Sequence, residues 1–254
     1  MAFLLRRQEA SATSLEHAAT SSLSRNITRY DMPLVSFARP DAVIFDIDGT
    51  LLDTAPDLCG TLNVLLAEHG RPTMPLERLR PMIGDGAAKM VERGFAASGT
   101  VPEDFAALVR RFIEIYQGRI AEETKPFPGA VACLERFRAA GARLGVCTNK
   151  TTRLTEDLLA ALDLTSYFGV VVGGDGPARK PDPRHILAVA ERLGVAPGRS
   201  LMIGDSINDV AAAKAAGIKV IAVTFGYTTT PAIELGADAV IDSFEELPRL
   251  LGFG

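Results

Sequence analysis

The stretch AVIFDIDGTLLDT, residues 42–54, runs four apolar or small side chains straight into Asp46 and Asp48, then a glycine and a threonine. A continuous apolar run of this length suits a strand buried on both faces, as in a parallel sheet covered by helices on each side. Asp46 and Asp48 stand at i and i+2, so both point to one side of the strand while Ile47 points to the other. Like charges that close repel, and one carboxyl takes up a proton unless something positive lies between them. The stretch therefore reads either as a solvated strand end or as a site that awaits a cation or a proton in flight.

From Asp41 onward, short apolar runs alternate with helical patterns. Strands are predicted at 42–45, 143–147, 168–172, 200–204, 218–223 and 239–241, with helices at 129–140, 151–162, 182–194 and 206–216. Leu154, Leu158 and Leu162 share one helical face, as a core-facing helix requires. Strand–helix alternation of this kind folds as an α/β, doubly wound parallel sheet with right-handed crossovers. Between Asp57 and Lys125 no strand pattern occurs. Leu58, Leu62 and Leu65 share one face there, and Phe105, Leu108, Phe112 and Ile115 another. Residues 57–125 are read as a helical cap inserted after the first strand, able to close over the strand ends like a lid. The catalytic core is then 41–56 plus 126–254. Residues 1–40, rich in Ser, Thr, Ala and Arg, are read as an N-terminal extension, disordered or dispensable, with Met32 an alternative start. Glu9, Glu16 and Asp31 argue against a transit segment.

The chain of 254 residues is 47% hydrophobic, enough for one large core or a core with a smaller appended domain. Its net charge of −4 supplies no global basic field for nucleic acid. Its three cysteines, Cys59, Cys133 and Cys147, are scattered, which fits neither a disulfide framework nor a zinc site and suits a reducing, cytoplasmic setting. No apolar run approaches the length a membrane helix needs. No nucleic-acid or membrane partner is expected, and the chain is expected to be a monomer or homodimer.

In open α/β sheets ligands bind beyond the carboxyl ends of the strands, and here those ends are polar. They carry Asp46 and Asp48; Thr148, Asn149 and Lys150; the loop to Lys180; and Asp205 with Asp209. Carboxylates gathered round one point need a hard cation, and an oxygen-only set suggests Mg²⁺. Thr148, Asn149 and Lys180 offer a hydroxyl, an amide and an ammonium to a tetrahedral oxyanion, and Gly49 allows close backbone approach. Singly, each of these residues has a bland reading: a surface lysine, a turn asparagine, a helix-capping aspartate. Their arrival at four successive strand ends argues for phosphoryl transfer.

DIDGTLLDT, TNK (148–150), KPDP (180–183) and GDSIND (204–209), in this order, resemble the four motifs of the haloacid dehalogenase superfamily. DTAPDL, IGDGA (83–87), TNKTT, GGD (173–175), AAKAAG (212–217) and FGY (225–227) resemble its phosphoglycolate phosphatases most closely. The resemblance implies a Rossmann-like core with a helical cap, and hydrolysis of a small phosphorylated metabolite, 2-phosphoglycolate first, a sugar phosphate as the alternative. Asp46 matches the nucleophile that forms an aspartyl-phosphate, and Asp48 the general acid and base. Asp46, the Asp48 backbone carbonyl and Asp205 match the Mg²⁺ ligands, with Asp209 supporting the ion. Thr148 and Lys180 match the phosphate binders, assisted by Asn149 and the Gly49 amide.

Within the cap, Gly84 and Gly86 precede a helix expected at 87–97 whose amides could face an anion. Asp85 stands where the family has a small polar residue, and is read as repelling a carboxylate-bearing substrate. Lys89 is read as solvent-facing, with a substrate contact as the alternative. His69 and His185 are read as surface or packing residues. A dehalogenase has no use for Asp48 or Asp205, a phosphonatase would need Lys89 or Lys125 as an imine-forming lysine, and an inactive binding scaffold would be expected to lack one of the carboxylates retained here.

Overall fold

The computed structural model describes residues 37–253; the reading of the first 36 residues as dispensable lies outside them. The elements run β1 (Ala42–Phe45), β2 (Leu52–Asp53), α1 (Ala55–Glu68), α2 (Leu76–Leu79), α3 (Ala87–Ser98), α4 (Phe105–Gln117) and β3 (Lys125–Pro126). Then follow α5 (Ala130–Ala139), β4 (Arg143–Cys147), α6 (Thr152–Ala161), β5 (Val170–Val172), α7 (Pro183–Leu193) and β6 (Ser200–Gly204). The chain ends with α8 (Ile207–Ala215), β7 (Lys219–Val223), β8 (Ala239–Ile241) and α9 (Leu247–Leu250).

Six strands form a parallel sheet in the order β5-β4-β1-β6-β7-β8. All four β1 residues are wholly buried, and their alternation assigns them to opposite layers. Val43 and Phe45 pack with Leu134 and Phe137 of α5 and Leu158 of α6. Ala42 and Ile44 pack with Ile186 and Val189 of α7 and Val210 of α8. The chain leaves β1 for β4 and β5, then returns to β6 on the other side of β1. This reversal opens a crevice at the carboxyl end of β1.

The run expected as a strand from 168 pairs regularly only over Val170–Val172, because the Phe168 amide closes a 3-10 turn on the Thr165 carbonyl. The other strands and helices lie within two residues of their expected limits. Phe37 packs against the core and the Arg39 guanidinium lies 4.6 Å from the Phe253 ring centre, so the packed region begins before residue 41.

The inserted helices α1 to α4 enclose a separate apolar cluster of Leu58, Leu62, Leu65, Phe95, Leu108 and Phe112, reached from the sheet side by Leu154 and Tyr227. Sequence reasoning places both ends of the insertion beside the first carboxylates but misses what joins them. β2 and β3 pair antiparallel, Leu52 with Pro126 and Asp53 with Lys125. Beside them the buried Asp57 carboxylate accepts from the Thr124 amide at 2.9 Å, the Thr124 hydroxyl at 2.7 Å and the Glu123 amide at 3.1 Å. The two ends of the insertion are thereby stapled next to Asp46 and Asp48. Among the described residues no helix is long and apolar enough to cross a membrane.

Phe45 anchors the sheet through rings of Phe137, Phe168 and Phe244 at 6.3–6.5 Å between centres. Phe45→Ala should lower stability by about 3–5 kcal/mol, the cost of an aromatic-sized core deletion, as read from urea unfolding midpoints.

Candidate active site

Asp46 leaves β1 with its amide bonded to the Ile203 carbonyl of β6 at 3.0 Å, which sets its carboxylate over the crevice. Oxygens of Asp46, Asp205 and Asp209 all lie within 4.8 Å of one another, and all three side chains are buried. Lys180 enters from the loop after β5, its Nζ 2.8 Å from Asp46 Oδ1 and 2.6 Å from Asp209 Oδ1. The approach to Asp46 is a charge pairing off hydrogen-bond geometry, so Asp46 Oδ1 is buried with no hydrogen-bond donor among the described residues.

Two neighbours hold the Lys180 backbone. Asn149 Oδ1 accepts from the Lys180 amide at 3.0 Å and Asn149 Nδ2 donates to its carbonyl at 3.2 Å. His185 Nδ1 also accepts from that amide at 3.1 Å, while Nε2 lies 3.2 Å from the Val172 carbonyl. Burial, with the Lys180 charge adding, pushes the His185 pKa down to about 4. A neutral ring accepting at Nδ1 carries its proton on Nε2 and donates it to Val172. His185 is thus a bridge that fixes the lysine loop, more than the packing residue expected.

Burial raises the pKa of Asp46 to about 6 and, aided by the Asp209 and Asp46 charges, that of Asp205 to about 8. Burial opposes the charge of Lys180, but Asp209 and Asp46 outweigh it and hold its pKa above the ordinary lysine range. Asp205 is oriented by the Tyr227 amide at 2.7 Å and the Thr50 hydroxyl at 3.4 Å. A Cβ at Gly226 would stand 2.2 Å from the Asp205 Cβ, so only glycine lets that loop approach.

Asp48 faces elsewhere. Thr54 Oγ1 donates to its Oδ1 at 2.7 Å, and Lys150 Nζ lies 3.2 Å from Oδ1 and 3.3 Å from Oδ2. Its carboxylate is outside the three-acid cluster, so of Asp48 the backbone carbonyl is the group left for a metal: Thr54 and Lys150 engage the side chain. Sequence reasoning gave Lys150, Thr54, Tyr116 and Tyr227 no role; the quoted motifs TNK, DIDGTLLDT and FGY contain three of them, and nothing singled out Tyr116.

Other expected ligands are already engaged. The Gly49 amide donates to the Leu52 carbonyl at 3.0 Å, so it closes a turn and is not free for phosphate. What Gly49 supplies is its φ of +84° and room, since a Cβ would lie 2.7 Å from Asp205 Oδ2. The Asn149 amide is committed to Lys180 and, through Nδ2 at 3.2 Å, to the Gly84 carbonyl. Thr148 is buried at the end of β4, its Oγ1 accepting from the Lys150 amide at 3.3 Å. Gly86 opens α3 with its Cα facing the Asn149 carbonyl, 3.1 Å from where a Cβ would be.

Asp85 is not a bare charge aimed at substrate. Asn208 Nδ2 donates to its Oδ1 at 2.7 Å, Arg93 pairs with Oδ2, and Arg179 holds its carbonyl at 2.8 Å. Burial works upward on its pKa, but the bonds from Arg93 and Asn208 prevail and lower it. Lys89 is exposed and pairs with Glu92 at 2.6 Å, and Lys125 is exposed. His69 is exposed, its Nδ1 2.9 Å from the Leu65 carbonyl.

The chain matches the sequence model of the Haloacid dehalogenase-like hydrolase family over residues 43–223. It is 49% identical over 210 residues to the phosphoglycolate phosphatase of Caulobacter vibrioides, a match covering 82% of this chain and 89% of that one. To the phosphoglycolate phosphatase of Agrobacterium fabrum it is 46% identical over 211 residues, covering 82% and 91%. Its fold resembles the crystal structure of a predicted phosphoglycolate phosphatase from Haemophilus somnus, with TM-score 0.78, 28% identity and 86% and 99% of the two chains covered. CbbY from Rhodobacter sphaeroides, solved in complex with phosphate, gives TM-score 0.71 at 28% identity over 82% and 96%. With its acidic strand ends, parallel sheet and inserted helices, the chain belongs to the haloacid dehalogenase-like hydrolase family.

Proposed function

We propose that the protein is a Mg²⁺-dependent phosphatase that hydrolyses 2-phosphoglycolate to glycolate and phosphate through an aspartyl-phosphate on Asp46. The observation that carries this reading is the division of labour between two carboxylates one residue apart. Asp46 presents a buried oxygen with no hydrogen-bond donor beside the Lys180 ammonium, whereas Asp48 is turned toward Thr54 and Lys150. The names of the relatives support the substrate.

The donor set fits Mg²⁺. It consists of carboxylate oxygens alone, buried and mutually close. Fully ionised, the three clustered aspartates outnumber the one ammonium among them, Lys180, by two negative charges, those of a divalent cation. Asp46, Asp205 and the Asp48 carbonyl would hold the ion. Asp209, whose oxygens already accept from Lys180, the Ser206 amide and the Ser206 hydroxyl, would act by positioning Lys180 close to it. When bound, the ion offsets the repulsion between the carboxylates and an incoming phosphate.

The chain's own residues divide the remaining work. Lys180 and the Thr148 hydroxyl receive the phosphate oxygens. An Asp46 oxygen bonds to phosphorus as the bond to the substrate alcohol breaks, and Asp48 gives the departing oxygen its proton. Asp48 then takes a proton from water, whose oxygen attacks the phosphorus of the aspartyl-phosphate. Phosphate leaves and the Asp46 carboxylate is restored. Asn149 and His185 hold Lys180 in register. The helical cap, 57–125 in outline, covers the site and excludes bulk water. The three buried, unpaired thiols suit a cytoplasmic setting.

Asp46→Asn should reduce phosphate release from 2-phosphoglycolate by at least ~10³-fold, the scale of losing a covalent nucleophile, while the thermal melt stays that of a folded protein. Unimpaired turnover would refute the assignment. A chelator should abolish turnover and added Mg²⁺ restore it, whereas full activity in chelator would remove the metal from the scheme. The raised pKa values of Asp46 and Asp205 also fix a sign. Unfolded aspartates titrate near about 4, so between there and about 8 the folded, metal-free protein holds the extra protons. Its stability should therefore fall as pH rises across that window. Melts in chelator at pH 6 and pH 8 should show this, with the stabilisation by Mg²⁺ larger at the higher pH.

A further inference from the structure

Lys150 has no part in the chemistry above, yet among the described residues it is the cation paired with Asp48. Its side chain is 5% exposed, and its Nζ lies 4.5 Å from the ring centre of Tyr116 on α4, so it stands where the inserted helices meet the sheet. Tyr116 is fully buried; its hydroxyl makes no well-formed hydrogen bond among the described residues, and the Lys150 ammonium lies beside it. A buried phenol without an acceptor costs roughly 1–3 kcal/mol, and a group left so in a native fold points to something that completes it. An ammonium has three N–H donors, and Asp48 does not use them all.

Three other cations of the site are committed: Lys180 serves Asp46 and Asp209, Arg93 serves Asp85, and Arg179 binds the carbonyls of Asp85 and Asn149. Arg80, 3.9 Å from Asp53 and 5.6 Å from the Tyr227 ring centre, keeps a buried Nε without a hydrogen-bond partner among the described residues, but it is not in contact with Asp48 in any pairing the structure shows. A group that protonates the leaving oxygen must touch it. An anionic group joined to that oxygen through one methylene then lies within reach of any cation that touches the acid.

We propose that the Lys150 ammonium and the Tyr116 hydroxyl together receive a carboxylate carried on the leaving alcohol, and that this pair selects carboxylate-bearing phosphate esters. The inference rests on the reading of Asp46 as nucleophile and Asp48 as acid. A carboxylate seated there accepts a charge-assisted bond from Lys150, between two groups that are both buried, and gives the phenol an acceptor. An ester without the carboxylate leaves the phenol without an acceptor and is discriminated against, as sites built around buried polar groups do. Because Lys150 follows β4 and Tyr116 lies on α4, the same carboxylate also draws the inserted helices onto the sheet.

The test compares kcat/KM for 2-phosphoglycolate and for ethyl phosphate, with Mg²⁺, in the wild-type protein, Lys150→Met and Tyr116→Phe. The readout is the ratio between the two substrates, which a common loss through Asp48 would not move. The wild type should favour phosphoglycolate, Lys150→Met should reduce that preference by about 10²-fold, and Tyr116→Phe by about 10-fold. A ratio unchanged within twofold in both variants overturns the proposal and makes Lys150 a positioning residue for Asp48. If Lys150→Met does not fold by circular dichroism, Tyr116→Phe alone decides. A wild type that hydrolyses ethyl phosphate as readily as phosphoglycolate overturns the proposal and leaves the phosphatase reading standing. A wild type inert toward both esters removes the two together.

Discussion

The site depends on one ammonium placed between carboxylates. Asp46, Asp205 and Asp209 converge from two strand ends and the helix that follows, into a pocket where burial makes their mutual repulsion severe. Lys180, itself 5% exposed, sits between Asp46 and Asp209 and offsets part of that repulsion. A buried lysine is costly unless its partners hold it charged, and here Asp209 and Asp46 do so. Its loop is pinned by Asn149 and by a neutral His185. The arrangement works in both directions: the lysine keeps the acids together, and the acids keep the lysine an ammonium able to meet phosphate.

The inserted helices contribute by the way they are tethered. The β2–β3 pair and the Asp57–Thr124 bonds bring the two ends of the insertion to one point beside Asp48. From that point the helices return to the sheet through several polar contacts. Gly84 meets Asn149, Asp85 meets Asn208, and Tyr116 lies against Lys150. Each contact joins a residue of the insertion to one at or just beyond a strand end. Placement of the helices and organisation of the acidic crevice are thus coupled through shared side chains.

The sheet was legible because burial on both faces leaves a strong pattern. AVIF is apolar throughout, RLGVC and SLMIG are apolar or glycine after their first residue, and the helices between them show single apolar faces. The carboxylates were legible because they end those runs. The β2–β3 pair was not, since two residues per strand carry no periodicity and their partners lie far apart in the chain. The directions of hydrogen bonds were not legible either. Nothing in DIDGT reveals that the Gly49 amide is given to Leu52, and nothing in TNK reveals that the Asn149 amide is given to Lys180 and Gly84.

By itself the sequence determined the doubly wound sheet, the inserted helices and the four acidic side chains, because local periodicity and strand ends are properties of neighbouring residues. Only the tertiary structure decided which partner each polar group takes. Asp48 and Lys150 are 102 residues apart, and Tyr116 reaches them from another helix. Hydrogen bonds and ion pairs act over a few ångströms, and those distances exist only once the chain has closed on itself.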